Sequence, residues 1–160
     1  MSNRAVESAA GDTVHQLVTF RLKDETYGIN VMQVQEVLRV SEIAPVPGAP
    51  GYVLGIINLR GNVVTVIDTR TRFGLSTGEL DDASRIVIIE SEQQVVGILV
   101  DSVAEVVELR QSEIGSAPNT GNEDSSRYIQ GVASRDEDLL IVVDLNKLLT
   151  EEEWSEMAAF

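Results

Sequence analysis

The sequence predicts a mainly β fold made of two homologous small barrels, with short helices and a C-terminal helix. Three observations lead to this prediction. Valine and isoleucine fill short apolar runs of strand length, and these β-branched residues favour a pleated backbone. Charged or glycine-containing turns separate the runs. The sequence also repeats itself once along its 160 residues, a length that suits one domain or two very small ones.

The predicted strands follow the apolar runs in chain order, and each run has strand length rather than helix length. The runs are 17–22, 54–59, 63–67, 86–89, 95–100, 103–109 and 139–143. Brief helical patterns at 68–73 and 144–149 close two longer motifs. Thr150 and Glu153 form a capping box, which predicts a C-terminal helical tail over 151–160 that carries Trp154 and Met157.

Two segments show no periodic pattern. Residues 1–12 are small and polar, which predicts a disordered N-terminal lead before a folded domain at 13–150. Residues 111–127 are rich in Ser, Asn, Gly and Glu. A loop of that length is typically either functional or mobile.

An internal duplication indicates the domain organisation. Residues 27–37 match 96–106 at a constant offset, and residues 52–68 match 128–144 in the same order along the chain. We therefore predict two homologous subdomains at about 13–78 and 84–149, each of roughly five short strands. Five curled strands close into a small barrel that hides its edges. Two barrels of this size need a shared interface to bury enough surface.

The composition excludes several classes of function. The chain has no cysteine, which removes disulfides, thiolate nucleophiles and thiolate metal sites. His15 is the only histidine, so the chain cannot build a multi-histidine metal site. The net charge of −14 opposes binding to nucleic acid or anionic lipid. No secretory signal is visible, and the longest apolar run, 95–100, is far shorter than a membrane span. We expect a cytoplasmic protein without metal, cofactor or membrane insertion.

Residues kept in both copies are interpreted as fold positions. The glycine pairs Gly28/Gly97 and Gly55/Gly131 predict strand bulges or close approaches between backbones. Glu36 and Glu105 also occupy equivalent positions, which favours a structural charge partner.

Asp68 and Asp144 each follow an apolar strand and precede a helical pattern, so we interpret them as helix caps. The alternative is that they act as the acid and base of an enzyme. No Ser–His–Asp set and no phosphate-binding glycine loop accompanies them, and His15 has no evident partner. We therefore predict no catalytic residue and no small-molecule substrate.

One difference between the two copies indicates a candidate functional segment. Asn58-Leu59-Arg60-Gly61 in the first copy is replaced by residues 134–137 in the second. Arg60 lies at the tip of a predicted tight turn. It is either a solvated turn charge or the anchor of a protein interface, because arginine offers planar, bidentate donors and is enriched at interface centres.

Four stretches together resemble the CheW family of bacterial chemotaxis coupling proteins, over about residues 16–150. They are YGINVMQVQEV, PVPGAPGYVLGIINLRGNVVTVIDTRTRFG, VVGILVDSVAEVVEL and the ending VDLNKLL. The resemblance implies two SH3-like five-stranded barrels, in agreement with the duplication. It also implies a scaffold that links the cytoplasmic tips of transmembrane chemoreceptors to the regulatory domain of the histidine kinase CheA.

The resemblance also implies binding residues, by position within the family's motifs. We expect the family's kinase and receptor contacts at six of these positions, which are Val34, Glu36, Gly55, Asn58, Arg60 and Gly61. An adaptor of a non-flagellar chemosensory system, such as twitching motility, is the alternative that the sequence leaves open.

Overall fold

The strands and helices of the protein are seen in a computed structural model that describes residues 5–7, 13–75, 80–91, 94–116, 128–135 and 138–158. The strands in these ranges are β1 (Ala5–Glu7), β2 (Thr13–Leu22), β3 (Glu25–Asn30), β4 (Val34–Arg39), β5 (Val53–Leu59), β6 (Asn62–Asp68), β7 (Arg85–Glu90), β8 (Val95–Val100), β9 (Ser102–Arg110), β10 (Ile129–Arg135) and β11 (Asp138–Val143). The helices there are α1 (Thr69–Arg72) and α2 (Glu151–Ala158), with 3₁₀ turns at Val31–Gln33, Gln111–Glu113 and Leu145–Lys147. The mainly β prediction is confirmed.

The strands form two sheets. Sheet A has the order β1-β2-β3-β11-β10, with β9 also paired to β2, and sheet B has the order β4-β7-β8-β6-β5. Each sheet curls so that its ends meet: the segment after β4 pairs with β5 at Ala44 and Ile56, and the segment after β9 pairs with β10 at Gly115 and Val132. Two curled sheets with a few short helices confirm the predicted fold class.

The two sheets exchange strands between the sequence repeats. Sheet A combines β2 and β3 of the first repeat with β9, β10 and β11 of the second. Sheet B combines β4, β5 and β6 of the first repeat with β7 and β8 of the second. The parallel pairs β3–β11 and β6–β8 each join strands of different repeats. The repeats at 13–78 and 84–149 therefore both contribute to both sheets, and neither holds all the strands of one sheet.

The largest hydrophobic cluster draws on both sheets and on the C-terminal helix. Its aromatic side chains form a continuous row, with ring centroids 5.7 Å apart for Phe20 and Tyr27, 5.1 Å for Tyr27 and Phe73, and 4.4 Å for Phe73 and Tyr128. Burial, with smaller contributions from Tyr128 and Glu25, raises the pKa of Tyr27 to about 12. Two smaller clusters each belong to a single sheet. The shared interface that the sequence predicts is thus the main core of the protein.

Gly55 and Gly131 are close approaches between backbones, as predicted, whereas the atoms nearest to a Cβ at Gly28 or Gly97 belong to side chains. A Cβ at Gly55 would collide with the carbonyl oxygen of Ala44, and a Cβ at Gly131 would lie 2.6 Å from the carbonyl oxygen of Gly115. These are the two places at which a sheet closes on itself. A Cβ at Gly97 would lie 2.8 Å from Ile86 Cγ2, so the partners there must also move for any side chain to fit.

Asp68 and Asp144 are caps, as predicted. The Asp68 carboxylate accepts hydrogen bonds from the backbone N–H of Thr71 at 3.3 Å and from its hydroxyl at 2.8 Å. Asp144 accepts from the backbone N–H of Asn146 at 3.0 Å. Since each carboxylate is already held at the start of a helical turn, the pattern that suggested an acid–base pair has a structural explanation.

Helix α2 begins with the predicted capping box. Thr150 N–H donates to Glu153 Oε1 at 2.8 Å, and Glu153 N–H donates to Thr150 Oγ1 at 3.1 Å. Arg72 binds the Glu153 carboxylate through two hydrogen bonds of 2.8 and 2.7 Å. Trp154 and Met157 are buried in the largest cluster. The C-terminal helix is therefore packed against the two sheets and contributes to their shared core.

The docking of α2 should weaken in acid. Burial alone would raise the pKa of Glu153, but the Thr150 backbone and the Arg72 guanidinium outweigh it and hold this pKa below its ordinary value of 4.5. The lowered pKa of Glu153 stabilises the folded protein above pH 4.5. This stabilisation is lost as the pH falls through the pKa of Glu153 in the folded state. Trp154 fluorescence should report this loss on acid titration. In the variant Arg72→Gln, part of the acid-induced change in Trp154 fluorescence should be absent. A fluorescence titration identical to that of the unmodified protein would show that the Arg72–Glu153 pair does not hold α2 in place.

Two of the segments singled out in the sequence lie only partly within the described residues. Of the predicted disordered lead 1–12, the structure describes Ala5–Glu7, which pairs with β2 as a short strand. Of the loop 111–127, it describes residues 111–116, which form the 3₁₀ turn and the bridge to β10. Residues 117–127 lie outside the described ranges.

Candidate functional site

All six residues expected to bind partners lie on sheet B, around the seam where β4 and β5 approach each other. Val34 and Glu36 lie on β4, Gly55 and Asn58 on β5, and Arg60 and Gly61 form the turn between β5 and β6. These residues differ in solvent exposure. Gly55 is buried and Val34 packs against the largest cluster. The exposed residues are Asn58, Arg60 and Gly61. The exposed part of the candidate site is therefore the turn.

The turn has a defined backbone conformation. Arg60 and Gly61 both have positive φ, at 51° and 89°, which is the geometry that matches a two-residue hairpin to the twist of its strands. Asn58 Oδ1 accepts a hydrogen bond from Gly61 N–H at 2.8 Å and so fixes the turn from inside the hairpin. Glycine meets the steric demand at position 61 without strain. Together, Asn58 and Gly61 present the Arg60 side chain at the tip.

Arg60 and Glu36 form an ion pair, which brings together two of the predicted residues from strands far apart in the sequence. Arg60 Nη2 contacts Glu36 Oε2, and Arg60 Nη1 donates to Glu36 Oε1 at 3.3 Å. The Arg60 side chain remains 70% exposed, against 28% for Glu36. Arg60 is thus oriented by an intramolecular partner yet open to a second one.

The pair changes the acidity of Glu36. The hydrogen bond from Arg60, aided by its charge and opposed by desolvation, lowers the pKa of the Glu36 carboxyl below 4.5. We expect Arg60→Gln to raise the pKa of Glu36 towards that value, because the cationic donor is lost. A carboxyl-detected NMR titration of both proteins measures this. An unchanged pKa would mean that the two side chains do not pair in solution.

The equivalent glutamate in sheet A has different contacts among the described residues. Glu105 makes two backbone hydrogen bonds with the Thr19 hydroxyl, at 2.8 and 3.1 Å. Within the described ranges its carboxylate forms no ion pair. Among the described residues, the structural charge partner suggested by the repeat is found for Glu36. The ion-paired turn is therefore a described feature of sheet B.

The described residues offer no site for a metal, since they contain no group of three or more His, Cys, Asp or Glu side chains arranged to hold one. No helix in the described part of the chain is long and apolar enough to cross a membrane.

Comparison with known proteins identifies the family. The model of the CheW-like domain matches residues 16–153. The chain belongs to the CheW family. It is 35% identical to the chemotaxis protein CheW of Treponema pallidum, over 99% of this chain and 95% of that protein. It is also 35% identical to the CheW of Klebsiella aerogenes, over 92% and 90% of the two chains.

A solved structure of the family has the same fold. The scaffolding protein CheW from Thermoanaerobacter tengcongensis superimposes with a TM-score of 0.77 at 34% identity, covering 84% of this chain and 91% of that one. The family and this likeness make the present chain a chemotaxis adaptor, or scaffold, protein.

Among the large apolar side chains that the described part of this CheW-family chain exposes, four lie at equivalent positions of the two repeats, and none of the four was selected from the sequence. Val37 and Val63 lie on sheet B with exposed fractions of 40% and 71%, and Val106 and Leu139 lie on sheet A with 56% each. Val37 is equivalent to Val106 in the repeat, and Val63 to Leu139. The signal that could have revealed them is this equivalence of apolar residues on the outward side of alternating strands.

Proposed function

We propose that this protein couples chemoreceptors to a CheA-type histidine kinase by binding both, without catalysis or cofactor. Its kinase partner would be the kinase's regulatory domain, and its receptor partner the cytoplasmic tips of methyl-accepting chemotaxis receptors. It would act in the cytoplasm, in receptor arrays at the inner face of the membrane. The ion-paired Arg60 turn, on a sheet that also exposes apolar residues, carries this proposal.

The kinase contact is assigned to the exposed side of sheet B. Arg60 is held by Glu36 but keeps most of its surface exposed, so little side-chain freedom remains to be lost on binding. Val37 and Val63 supply apolar surface on the same sheet. Interface centres are typically enriched in arginine and in apolar residues, and sheet B exposes both. Gly55, being buried, would act by allowing the seam to close.

The repeat supplies a second surface. Val106 and Leu139 place equivalent apolar side chains on sheet A, where the ion pair is missing from the described residues. A protein with two related but unequal faces binds head to tail, and such contacts generate rings or open arrays. The two faces therefore support a scaffold that joins several partners.

The receptor contact is assigned to the region where the chain crosses from sheet A to sheet B. The 3₁₀ turn Val31–Gln33 makes this crossing, and Met32 there is 56% exposed. Methionine adapts to varied apolar partners, which suits an amphipathic receptor helix. The space between the sheets is filled by the largest cluster, so a helix would lie along its edge.

Calorimetry with the cognate kinase and with a soluble receptor fragment tests the proposal. We expect saturable binding of each partner, and kinase stimulation by receptor only when this protein is present. Met32→Glu should weaken receptor binding and leave kinase binding unchanged. Absence of binding to the kinase at high micromolar concentration would refute the proposal. Binding to the kinase without any receptor binding would leave the fold assignment intact and remove the coupling role.

A further inference from the structure

The 3₁₀ turn between β3 and β4 holds a methionine side chain at the surface. Met32 is 56% exposed. Its neighbours Val31 and Val34 pack against the largest cluster, and its backbone N–H donates to Asn30 Oδ1 at 2.9 Å. The backbone is therefore fixed on both sides of Met32. The exposure of its thioether is a property of the folded turn.

The other methionine that the structure describes has the opposite environment. The sequence contains no cysteine, so its sulfur chemistry belongs to three methionines. Met157 is 3% exposed and lies in the largest cluster, and the single tryptophan, Trp154, is buried beside it to the same extent. Met1 lies outside the described ranges. Because oxidation of a side chain follows its exposure, Met32 should react with an oxidant well before Met157.

The internal repeat indicates that the fold accepts a polar side chain at this position. Met32 corresponds to Asp101, which lies where the chain returns from sheet B to sheet A between β8 and β9. The Asp101 carboxylate accepts hydrogen bonds from Lys23 N–H at 2.7 Å and from Arg70 Nε at 2.8 Å. A polar oxygen is thus compatible with such a crossing, and at position 32 it would face water. Adding one oxygen to Met32 should leave both sheets intact.

The polarity of this side chain matters once a partner covers it. The proposed receptor contact would bury the Met32 side chain against the apolar face of a receptor helix. A sulfoxide is polar, and burial of a polar group without a hydrogen-bond partner is unfavourable. Oxidation of Met32 should therefore weaken receptor binding. It should leave kinase binding unchanged, because that contact is assigned to Arg60 and its sheet B neighbours.

We propose that Met32 is a site of reversible oxidation by hydroperoxides, and that its oxidation lowers receptor binding. With hydrogen peroxide, the sulfur lone pair attacks one oxygen and the O–O bond breaks. The hydroxide that leaves takes the proton from the transferred oxygen. Sulfur loses two electrons, and the products are methionine sulfoxide and water. A sulfoxide reductase reverses the step as two thiols become a disulfide and the oxygen leaves as water.

Peptide mass spectrometry after graded treatment with hydrogen peroxide tests the selectivity. We expect Met32 to gain one oxygen about tenfold faster than Met157 or more, because of their difference in exposure. The melting temperature of the protein oxidised at Met32 should stay within about two degrees of the untreated value. Equal rates at the two methionines would overturn the proposal, as would unfolding of the protein when Met32 alone is oxidised.

Calorimetry with a soluble receptor fragment and with the kinase tests the consequence for binding, which rests on the proposed function. Peroxide should weaken receptor binding by about fivefold or more and leave kinase binding unchanged. Sulfoxide reductases for both sulfoxide configurations, supplied with dithiothreitol, should restore the lost affinity. Met32→Gln, which places a polar amide at the same position, should reproduce the loss without peroxide.

Matched variants attribute the change to one sulfur. Met32→Leu keeps an apolar side chain that takes up no oxygen, so its receptor affinity should be the same before and after peroxide. This variant retains Met1 and thus controls for oxidation there. Met157→Leu, a volume-conserving change in the core, should keep the peroxide sensitivity of the unmodified protein.

The outcomes separate this inference from the proposed function. A peroxide-dependent loss of receptor affinity in Met32→Leu would overturn the inference, as would a loss that the reductases do not reverse. If the untreated protein binds the receptor and peroxide changes nothing, only this inference fails. If the untreated protein binds no receptor, the coupling role fails, and the effect on receptor binding fails with it.

Discussion

Replacing Arg60 with glutamate is expected to leave the protein folded and to reduce its affinity for the kinase by about thirtyfold or more. Arg60 is 70% exposed, so its replacement empties no core volume. Exposed substitutions usually change stability by no more than about 0.5 kcal/mol, which corresponds to roughly one or two degrees in melting temperature for a chain of this size. Loss of an interface anchor commonly costs about 2 kcal/mol of binding or more. Calorimetry and thermal unfolding of the same samples measure both effects.

The ion pair with Glu36 requires a control that separates two roles of Arg60. In the double variant Glu36→Arg/Arg60→Glu the pair is restored with its charges exchanged. If Arg60 contacts the kinase directly, the exchanged variant should keep the melting temperature of the unmodified protein but should not regain the binding. Arg110→Glu, the same charge change at an exposed position on sheet A, should affect neither. Recovery of full affinity in the exchanged variant would show that the pair only stabilises the turn.

Much of the fold follows from local sequence patterns. The apolar runs, the capping box at Thr150 and the caps at Asp68 and Asp144 were all predicted, because each depends on residues close together in the chain. The internal duplication also predicted features that local patterns do not show. It indicated that Gly55 and Gly131 are close approaches, but not which segments approach them.

The exchange of strands between the repeats was not predictable in this way. A buried strand shows the same run of apolar residues whichever neighbour it pairs with. Nothing local therefore reveals that β11 pairs with β3, or β8 with β6.

The candidate site likewise has a part that could be predicted from the sequence and a part that could not. Asn58, Arg60 and Gly61 form one turn, and a turn is readable from adjacent residues. The pairing of Arg60 with Glu36 arises only when the sheet closes, since Glu36 lies on β4 and Arg60 in the turn after β5. Exposed apolar residues such as Val63 resemble core residues when a single apolar run is considered, and only their equivalence between the two repeats gives a signal in the sequence.

The glycines at the two seams allow a second test with a large expected effect. Gly55→Ala and Gly131→Ala should each destabilise the protein by about 3 kcal/mol, since overpacking against rigid neighbours costs about 1–3 kcal/mol or more. At Gly131 the added Cβ would lie 2.5 Å from Ile114 Cγ2 and 2.6 Å from Gly115 O. At Gly55 it would lie 2.8 Å from Ile43 Cγ2 and would collide with the Ala44 carbonyl. The melting temperature should fall by roughly 6–12 °C in each case.

Gly51→Ala is the matched control, because a Cβ there meets no atom within 4 Å and the residue precedes the same strand, β5. Its melting temperature should stay within about two degrees of the unmodified protein. This comparison also determines the role of Gly55 in binding. If Gly55→Ala loses kinase affinity only in proportion to its loss of folded protein, the glycine supports the seam. If it keeps its stability and still loses affinity, Gly55 contacts the kinase directly, and the steric argument for the closed seam is wrong.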